Sequence, residues 1–423
     1  PAVAYPSGGG LSGGIQWTTA TDGTGKVRYA STANGSGTVD GYTHPSIPSD
    51  WSTTEKQHVG MIRRIDDSIA DILQLLKDLG IDNNTLCVFS SDNGPHNEGN
   101  NPRSFESFAN MEGIKRDMWE GGIRVPTIVR WPGHISGATG NQANIREIST
   151  PCGFWDWMPT FCQMAGVTAP AWCDGVSLLP TLTGTGTQRD KGYLYFEYQY
   201  SGNTPSWTEF PNHGGTVQGE MQAVRLGNYM GVRTGISTGN EAFKIYDVTT
   251  DTREANNLAS TLPAVQSKMQ VLALTSRRPG AGVTRPYDSL ALPPAPPAYS
   301  VAGVTWKSYI HAAAPWQWVP ALRDMTPTAI GNSPTPNLTV RPADNHFGML
   351  YTGYIQVPTS GNYTFHLDSD TGADFFIHDS HLIANDKGHA ASVSSPVVKL
   401  TAGLHPFRLY YRHTTGTRAL ALD

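Results

Sequence analysis

Two adjacent side chains with hard oxygen donors, Asp92 and Asn93, sit in the run Ser90-Ser91-Asp92-Asn93-Gly94-Pro95-His96. The preceding Asn84-Thr85-Leu86-Cys87-Val88-Phe89 reads as a short, fully buried strand, with Cys87 an inert core thiol. The pair therefore falls where a strand ends and a glycine turn begins, the edge at which open α/β sheets bind ligands. A carboxylate beside an amide carbonyl suits Ca²⁺, and Mg²⁺ less well, but not a soft metal. Taken alone, Asp-Asn-Gly reads more readily as a plain turn. His96 either lines the same pocket or is an exposed loop histidine.

The elements around this run are those of an α/β sheet. Ser52-Thr53-Thr54-Glu55 has the form of a helix start. Val59, Ile62, Ile65, Ile69, Ile72, Leu73, Leu76 and Leu79 then recur at spacings of three and four, and Gly80 is placed to end the helix. Asp66 and Asp67 read as helix surface, not as a catalytic dyad. Gly122–Arg130 reads as another strand, 153–166 as a helix, 193–198 and 226–233 as strands, Phe243–Asp247 as a short strand, and about 262–276 as a last helix. Residues 1–50 read as loop with one hairpin. From 279 to 302 a Pro/Ala-rich stretch predicts a stiff linker, and 303–423 shows only short alternating strands, the pattern of a β-sandwich or barrel.

Net charge is −5 and charged residues make up 15% of the chain, with no basic tract to suggest nucleic acid and no long apolar run to suggest a membrane span. The four cysteines form no C-x-x-C pair, which argues against structural zinc. The sequence leaves open a disulfide among Cys152, Cys162 and Cys173. The polar, Gly-rich composition suits a secreted, periplasmic or cell-surface protein.

Five segments follow one another in a telling order: the helix with Asp66-Asp67; Ser91-Asp92-Asn93-Gly94; Gly113-Ile114-Lys115-Arg116-Asp117-Met118-Trp119-Glu120-Gly121-Gly122-Ile123-Arg124-Val125-Pro126; Asp174-Gly175-Val176-Ser177-Leu178-Leu179-Pro180; and Tyr246-Asp247-Val248-Thr249-Thr250-Asp251-Thr252-Arg253-Glu254-Ala255-Asn256-Asn257-Leu258. This series resembles the latter half of the type I sulfatases, in the alkaline-phosphatase-like superfamily, over roughly residues 1–276. The resemblance implies an α/β catalytic domain, incomplete here, and a sulfuric-ester hydrolase that uses a formylglycine nucleophile and Ca²⁺. Carried over by motif, Asp92 and Asn93 are two of the metal ligands, and Lys115 contacts the sulfate oxygens. Glu120 and Arg124 brace the Lys115 loop, and Trp119 is read as a core aromatic before a sugar platform.

The [CS]-x-P-x-R motif from which formylglycine is made is absent; Ser46-Ile47-Pro48-Ser49-Asp50 comes nearest and has Asp where Arg is required. The family's first strand, with two further metal-binding aspartates, is missing too. The expectation is therefore the C-terminal part of a sulfatase catalytic domain over 1–278, inactive by itself. The region after the linker resembles a PA14 domain through Phe347–Ile355, Gly361-Asn362-Tyr363-Thr364-Phe365 and Asp368-Ser369-Asp370-Thr371-Gly372-Ala373-Asp374-Phe375-Phe376-Ile377. That implies a β-sandwich with a glycan as partner. Asp368 and Asp370 either hold Ca²⁺ against a sugar or cap a turn. The substrate expected is a sulfated carbohydrate or an aryl sulfate ester. The alternatives are a phosphatase or phosphodiesterase of the same superfamily, and a non-catalytic carbohydrate-binding protein.

Overall fold

The computed structural model describes residues 30–31, 37–38, 50–135, 146–277, 284–297, 303–311, 316–386 and 388–423. They fall into two compact units, one holding residues up to Asn110 with Arg124–His134, the other Met111–Ile123 with the chain from Asn141 onward. In the first unit, β1 (Ala30–Ser31) pairs antiparallel with β2 (Gly37–Thr38). The rest of the stretch read as loop and hairpin lies outside the described residues up to Asp50.

Helix α1 (Thr53–Asp78) starts as its sequence requires. Ser52 Oγ accepts the Glu55 amide at 3.2 Å and Glu55 Oε2 accepts the Ser52 amide at 2.7 Å, a reciprocal capping box. Gly80 follows the last turn at φ +70°, a conformation open to a residue without Cβ. Strand β3 (Cys87–Ser90) pairs antiparallel with β4 (Thr127–Arg130), Cys87 opposite Arg130. Arg130 grips Asp82 through two bonds of 2.6 and 2.8 Å.

The expected full burial of β3 is corrected by the structure. Phe89 is 46% exposed, its partner Ile128 64%, and Cys87 is only half-buried. On α1, Ile62, Ile65, Ile72 and Leu75 are exposed as well, as is Leu79 just beyond its end. Two strands and one helix do not offer enough apolar surface to cover one another. Gly122 and Ile123 are also not strand: they belong to the helical turn α2 (Glu120–Ile123) in the second unit.

The second unit continues through α3 (Trp157–Met164) and α4 (Leu179–Thr183) to a four-stranded antiparallel sheet. Its strands are β5 (Leu194–Asn203), β6 (Val217–Leu226), β7 (Tyr229–Arg233) and β8 (Lys244–Asp247), in that order. The sequence reading ran one strand over 226–233; the chain turns there at Gly227, φ +58°, and β6 precedes the turn. Alternation along the strands gives each face its own core. Val224 and Ile245 meet Met269 and Ala273 of α5 (Pro263–Thr275), whereas Met221, Ala223, Met230, Val232 and Tyr246 meet Met118 and Trp119.

The C-terminal part is a β-sandwich. Its larger sheet runs β10 (Ala329–Ser333), β9 (Val304–Ile310), β11 (Phe347–Val357), β18 (Gly403–His413), β14 (Ala373–Ile377), β15 (Ser380–Asn385). Facing it are β12 (Gly361–Tyr363) with β17 (Val398–Leu400), and β16 (Ser392–Ser394), β13 (His366–Ser369), β19 (Leu420–Leu422). Met349, Tyr351, Phe375 and Leu409 from the larger sheet pack with Leu367, Val398 and Leu400 from the smaller ones.

The proline-rich stretch expected to be a stiff linker is fastened along its described length. Tyr287 is fully buried, with its hydroxyl 2.7 Å from Glu220 Oε1 on β6. Arg277 pairs with Asp288 at 2.5 Å, and Arg285 with Glu197. Further along, Leu292 and Ala295 donate their amides to Lys399 and Leu404.

Asp370 shows what the acidic pair of the sandwich does. It accepts from the Tyr411 hydroxyl at 2.5 Å, His413 Nδ1 at 2.8 Å and the Ala419 amide at 2.9 Å, while Asp368 is exposed. Replacing Asp370 by Ala strands buried donors and is expected to cost about 1–3 kcal/mol. Asp368→Ala should stay within about 0.5 kcal/mol. Urea unfolding of the two variants checks this, and equal midpoints would remove Asp370 from its structural role.

Candidate active site

The metal-ligand candidates occupy the loop that leaves β3. Asp92 Oδ1 accepts the Asn93 amide at 3.0 Å, Asn93 Nδ2 donates to the Gly94 carbonyl at 2.8 Å, and Ser91 Oγ donates to the Asn93 carbonyl at 2.9 Å. These bonds spend one Asp92 oxygen and the Asn93 amide nitrogen. Asp92 Oδ2 and Asn93 Oδ1, both hard donors, make no hydrogen bond among the described residues. The donors fit Ca²⁺, but that ion takes six to eight oxygens, and among the described residues no group of three His, Cys, Asp or Glu side chains could hold a metal. The loop offers a partial ligand set.

His96 is exposed, with Nδ1 accepting the Glu98 amide at 3.0 Å. Sequence reasoning passed over His58 on α1. Burial first, and His96 second, hold the His58 pKa below its ordinary value. A histidine in the preceding helix leaves no local signal in the sequence.

Lys115 belongs to the second unit, in a loop whose every neighbour is fixed. Glu112, with no exposed surface, accepts from the Asn212 amide (3.1 Å), Asn212 Nδ2 (2.6 Å), the His213 amide (3.0 Å) and Arg253 (3.1 Å). Asp117 closes the turn around Lys115 by accepting the Ile114 amide at 2.8 Å, and takes Thr204 Oγ1 and Gln218 Nε2 at 2.6 Å each. Arg116 is held at φ +81° with its guanidinium 4.8 Å from the Tyr200 ring centre. That is a left-handed backbone that a side chain of this size adopts only when its surroundings impose it.

Trp119 is core, as expected: 1% exposed, its ring stacked 3.7 Å from His213 and edge-on to Tyr246. The glycines after it are steric necessities. A Cβ on Gly121 would sit 2.4 Å from the Gly113 carbonyl oxygen, and one on Gly122 2.4 Å from that of Asp117. Lys115 itself is half-buried on this frame.

These segments match known families. Residues 32–167 match the sulfatase family model, and 114–275 the N-sulphoglucosamine sulphohydrolase C-terminal model. Residues 327–422 match the PA14 domain. Residues 32–275 are sulfatase-family sequence, and a PA14 domain follows them. The human protein named steryl-sulfatase is 28% identical over 276 residues, covering 60% of this chain and 43% of its own. The mouse N-acetylgalactosamine-6-sulfatase is 35% identical over 176 residues, covering 40% of this chain and 27% of its own. A crystal structure described as Ps i-CgsB with k-i-k-neocarrahexaose aligns at TM-score 0.41 and 21% identity, over 52% of this chain and 43% of that one. The chain thus spans less than half the length of these relatives.

Within this sulfatase frame the buried carboxylates Glu112, Asp117 and Glu254 were missed by sequence reasoning. Glu254 lay in a quoted motif, but its partner, the Glu120 amide 2.8 Å away, is 134 positions upstream. Burial pushes the Glu254 pKa well up, and the neighbouring Glu120, Asp251 and Glu112 add to the rise against the pull of the Glu120 amide. Its Oε1 meets no partner among the described residues.

A carboxyl whose folded pKa lies above its unfolded one stabilises fully below the unfolded value and loses that stabilisation as pH rises through the folded value. His213 acts in the opposite sense: burial lowers its pKa to about 4, so its contribution is lost as pH falls. The informative quantity is therefore the difference between Glu254→Gln and the parent. The variant should gain relative stability above about pH 4.5, by at most about 1.4 kcal/mol per pH unit. Urea midpoints from pH 4 to pH 8 test this, and a difference that does not change with pH would mean that Glu254 is ionised in the fold.

Proposed function

We propose that this chain forms the C-terminal part of a secreted sulfuric-ester hydrolase that acts on a sulfated carbohydrate. The observation that supports the reading is the Lys115 loop, a segment within the sulfatase match whose backbone is framed by buried carboxylates and close-packed glycines. In this role Lys115 binds the sulfate oxygens and offsets the charge that develops on the leaving oxygen; a compact ammonium with rotatable donors suits that task. Asp92 Oδ2 and Asn93 Oδ1 supply two oxygens to Ca²⁺, and His96 lines the same loop. When bound, Ca²⁺ would polarise the sulfate oxygens as a Lewis acid.

The chain holds no [CS]-x-P-x-R segment, so the formylglycine nucleophile of this reading comes from sequence outside it, and residues 1–423 alone do not turn over. The carbohydrate substrate is supported by the PA14 match and by the name of the N-acetylgalactosamine-6-sulfatase relative.

The test is expression from the source gene with the reading frame extended upstream of Pro1. The extended protein should carry [CS]-x-P-x-R and release sulfate from 4-methylumbelliferyl sulfate or N-acetylgalactosamine 6-sulfate in a Ca²⁺-dependent way. Lys115→Ala should lower kcat/KM by about 10²–10³-fold. Asp92→Asn should raise the Ca²⁺ concentration needed for half-maximal rate. Cleavage of 4-methylumbelliferyl phosphate but not the sulfate would point to a phosphatase. Glycan binding without hydrolysis of either ester would leave a non-catalytic carbohydrate-binding protein.

A further inference from the structure

A cavity of about 230 Å³ opens where the sulfatase-like part meets the PA14 domain, and it shares no residue with the Lys115 loop. Its lining brings four cations, Arg189, Lys191, Arg323 and Arg408, against three carboxylates, Asp174, Asp190 and Asp379. Most of this charge is already matched. Arg408 pairs with Asp379 at 3.0 Å, the Tyr193 hydroxyl also donates to Asp379 at 2.7 Å, and Arg189 pairs with Asp324 at 3.2 Å.

Among the four cations Lys191 is the exception. Its ammonium lies 5.3 Å from the centre of the Trp155 ring and 5.6 Å from that of Tyr193, and among the described residues it has no hydrogen bond and no ion pair. Burial holds its pKa below the ordinary lysine value, the cost of keeping a cation here without a direct counter-charge. Three further lining residues carry buried donors with no hydrogen-bond acceptor among the described residues, Trp155 Nε1, Arg323 Nε and Arg408 Nε.

We propose that this cavity binds one acidic sugar unit, its sulfate or carboxylate group taken by Lys191 and its hydroxyls by the carboxylates of Asp174 and Asp190. A bare inorganic anion would gain the lysine but be repelled by those carboxylates, whereas a polyhydroxylated anion uses both. A neutral sugar would leave Lys191 unpaired. The volume suits a single ring, below the range of larger ligand pockets. Because Phe376, Asp379 and Arg408 come from the PA14 domain, both domains build the site.

The test is calorimetric titration of the whole chain, which needs no turnover, so its result is independent of the sulfatase reading. Glucuronate and N-acetylgalactosamine 6-sulfate should bind, N-acetylgalactosamine should not, and inorganic sulfate should bind more weakly than either acidic sugar. Lys191→Ala should weaken the acidic sugars at least tenfold. If that variant melts early, Lys191→Met, which keeps an apolar stem against the two rings, is read in its place. Unchanged affinity in the Lys191 variants, absence of acidic-sugar binding to the parent, or equal affinity for the neutral sugar would each overturn the proposal. Inorganic sulfate binding as tightly as the sugars would reduce the site to an anion site and overturn its sugar selectivity.

Discussion

A carboxylate with no exposed surface organises the part of the molecule that bears the candidate catalytic lysine. Glu112 is taken out of water entirely, and four donors from Asn212, His213 and Arg253 replace its hydration. An ion in that position is tolerable only with all its partners present. The loop from Met111 to Ile123 is therefore conditional on segments about 100 and 140 residues downstream being in place. Once they are, the loop has almost no freedom: Gly121 and Gly122 lie against its own carbonyls, and Asp117 clamps the turn on the far side of Lys115.

The four-stranded sheet explains how one short loop commands so many partners. Residues of one parity on β6, β7 and β8 pack on α5, and those of the other parity form the floor under Met118 and Trp119. Close approach on the α5 side is permitted by Gly231, where a Cβ would fall 2.4 Å from the Met269 sulfur. The sheet is thus buried on both sides. That accounts for the polar residues inside it, which stay because they are bonded: Gln222 donates to the Tyr195 hydroxyl at 2.8 Å and accepts Arg233 Nε at 2.9 Å.

Those same buried polar residues mark where the sequence ceases to be legible. Helix α1 was readable because its signals, Ser52, Glu55 and Gly80, act on their near neighbours, and the strands of the sandwich were readable because they alternate. Strand β6 was missed although Gln218, Glu220 and Gln222 alternate with Val217, Gly219, Met221 and Ala223; amide and acid side chains suggest a solvated face, whereas Gln218 and Gln222 are buried against partners such as Asp117 and Tyr195. Gly122-Ile123 looked like the start of a strand, yet contact of the two glycines with carbonyl oxygens turns it into a helical turn. The candidate residues Asp92, Asn93, His96 and Lys115 came from motif order. The carboxylates that hold the Lys115 loop depend on contacts across 87 to 141 positions, which a single sequence does not encode locally.

The proline-rich stretch carries the same lesson into the relation between the domains. Its composition predicted a stiff linker between the two domains. The structure ties the stretch down at both ends, by Tyr287 against β6 and by Leu292 and Ala295 against the sandwich. The domains also touch directly. The Ala171 amide donates to the Val319 carbonyl at 2.8 Å, the Ala321 amide to the Ala169 carbonyl at 2.7 Å, and Ser380 Oγ to the carbonyls of Thr275 and Arg277. Ala171 is packed into the apolar cluster that covers the back of the larger sheet, with Tyr309, Leu350 and Tyr410. The described part of the stretch is thus packed against both domains. If the proposed acidic sugar is held at the junction of the two domains, these contacts fix the angle at which both domains meet it.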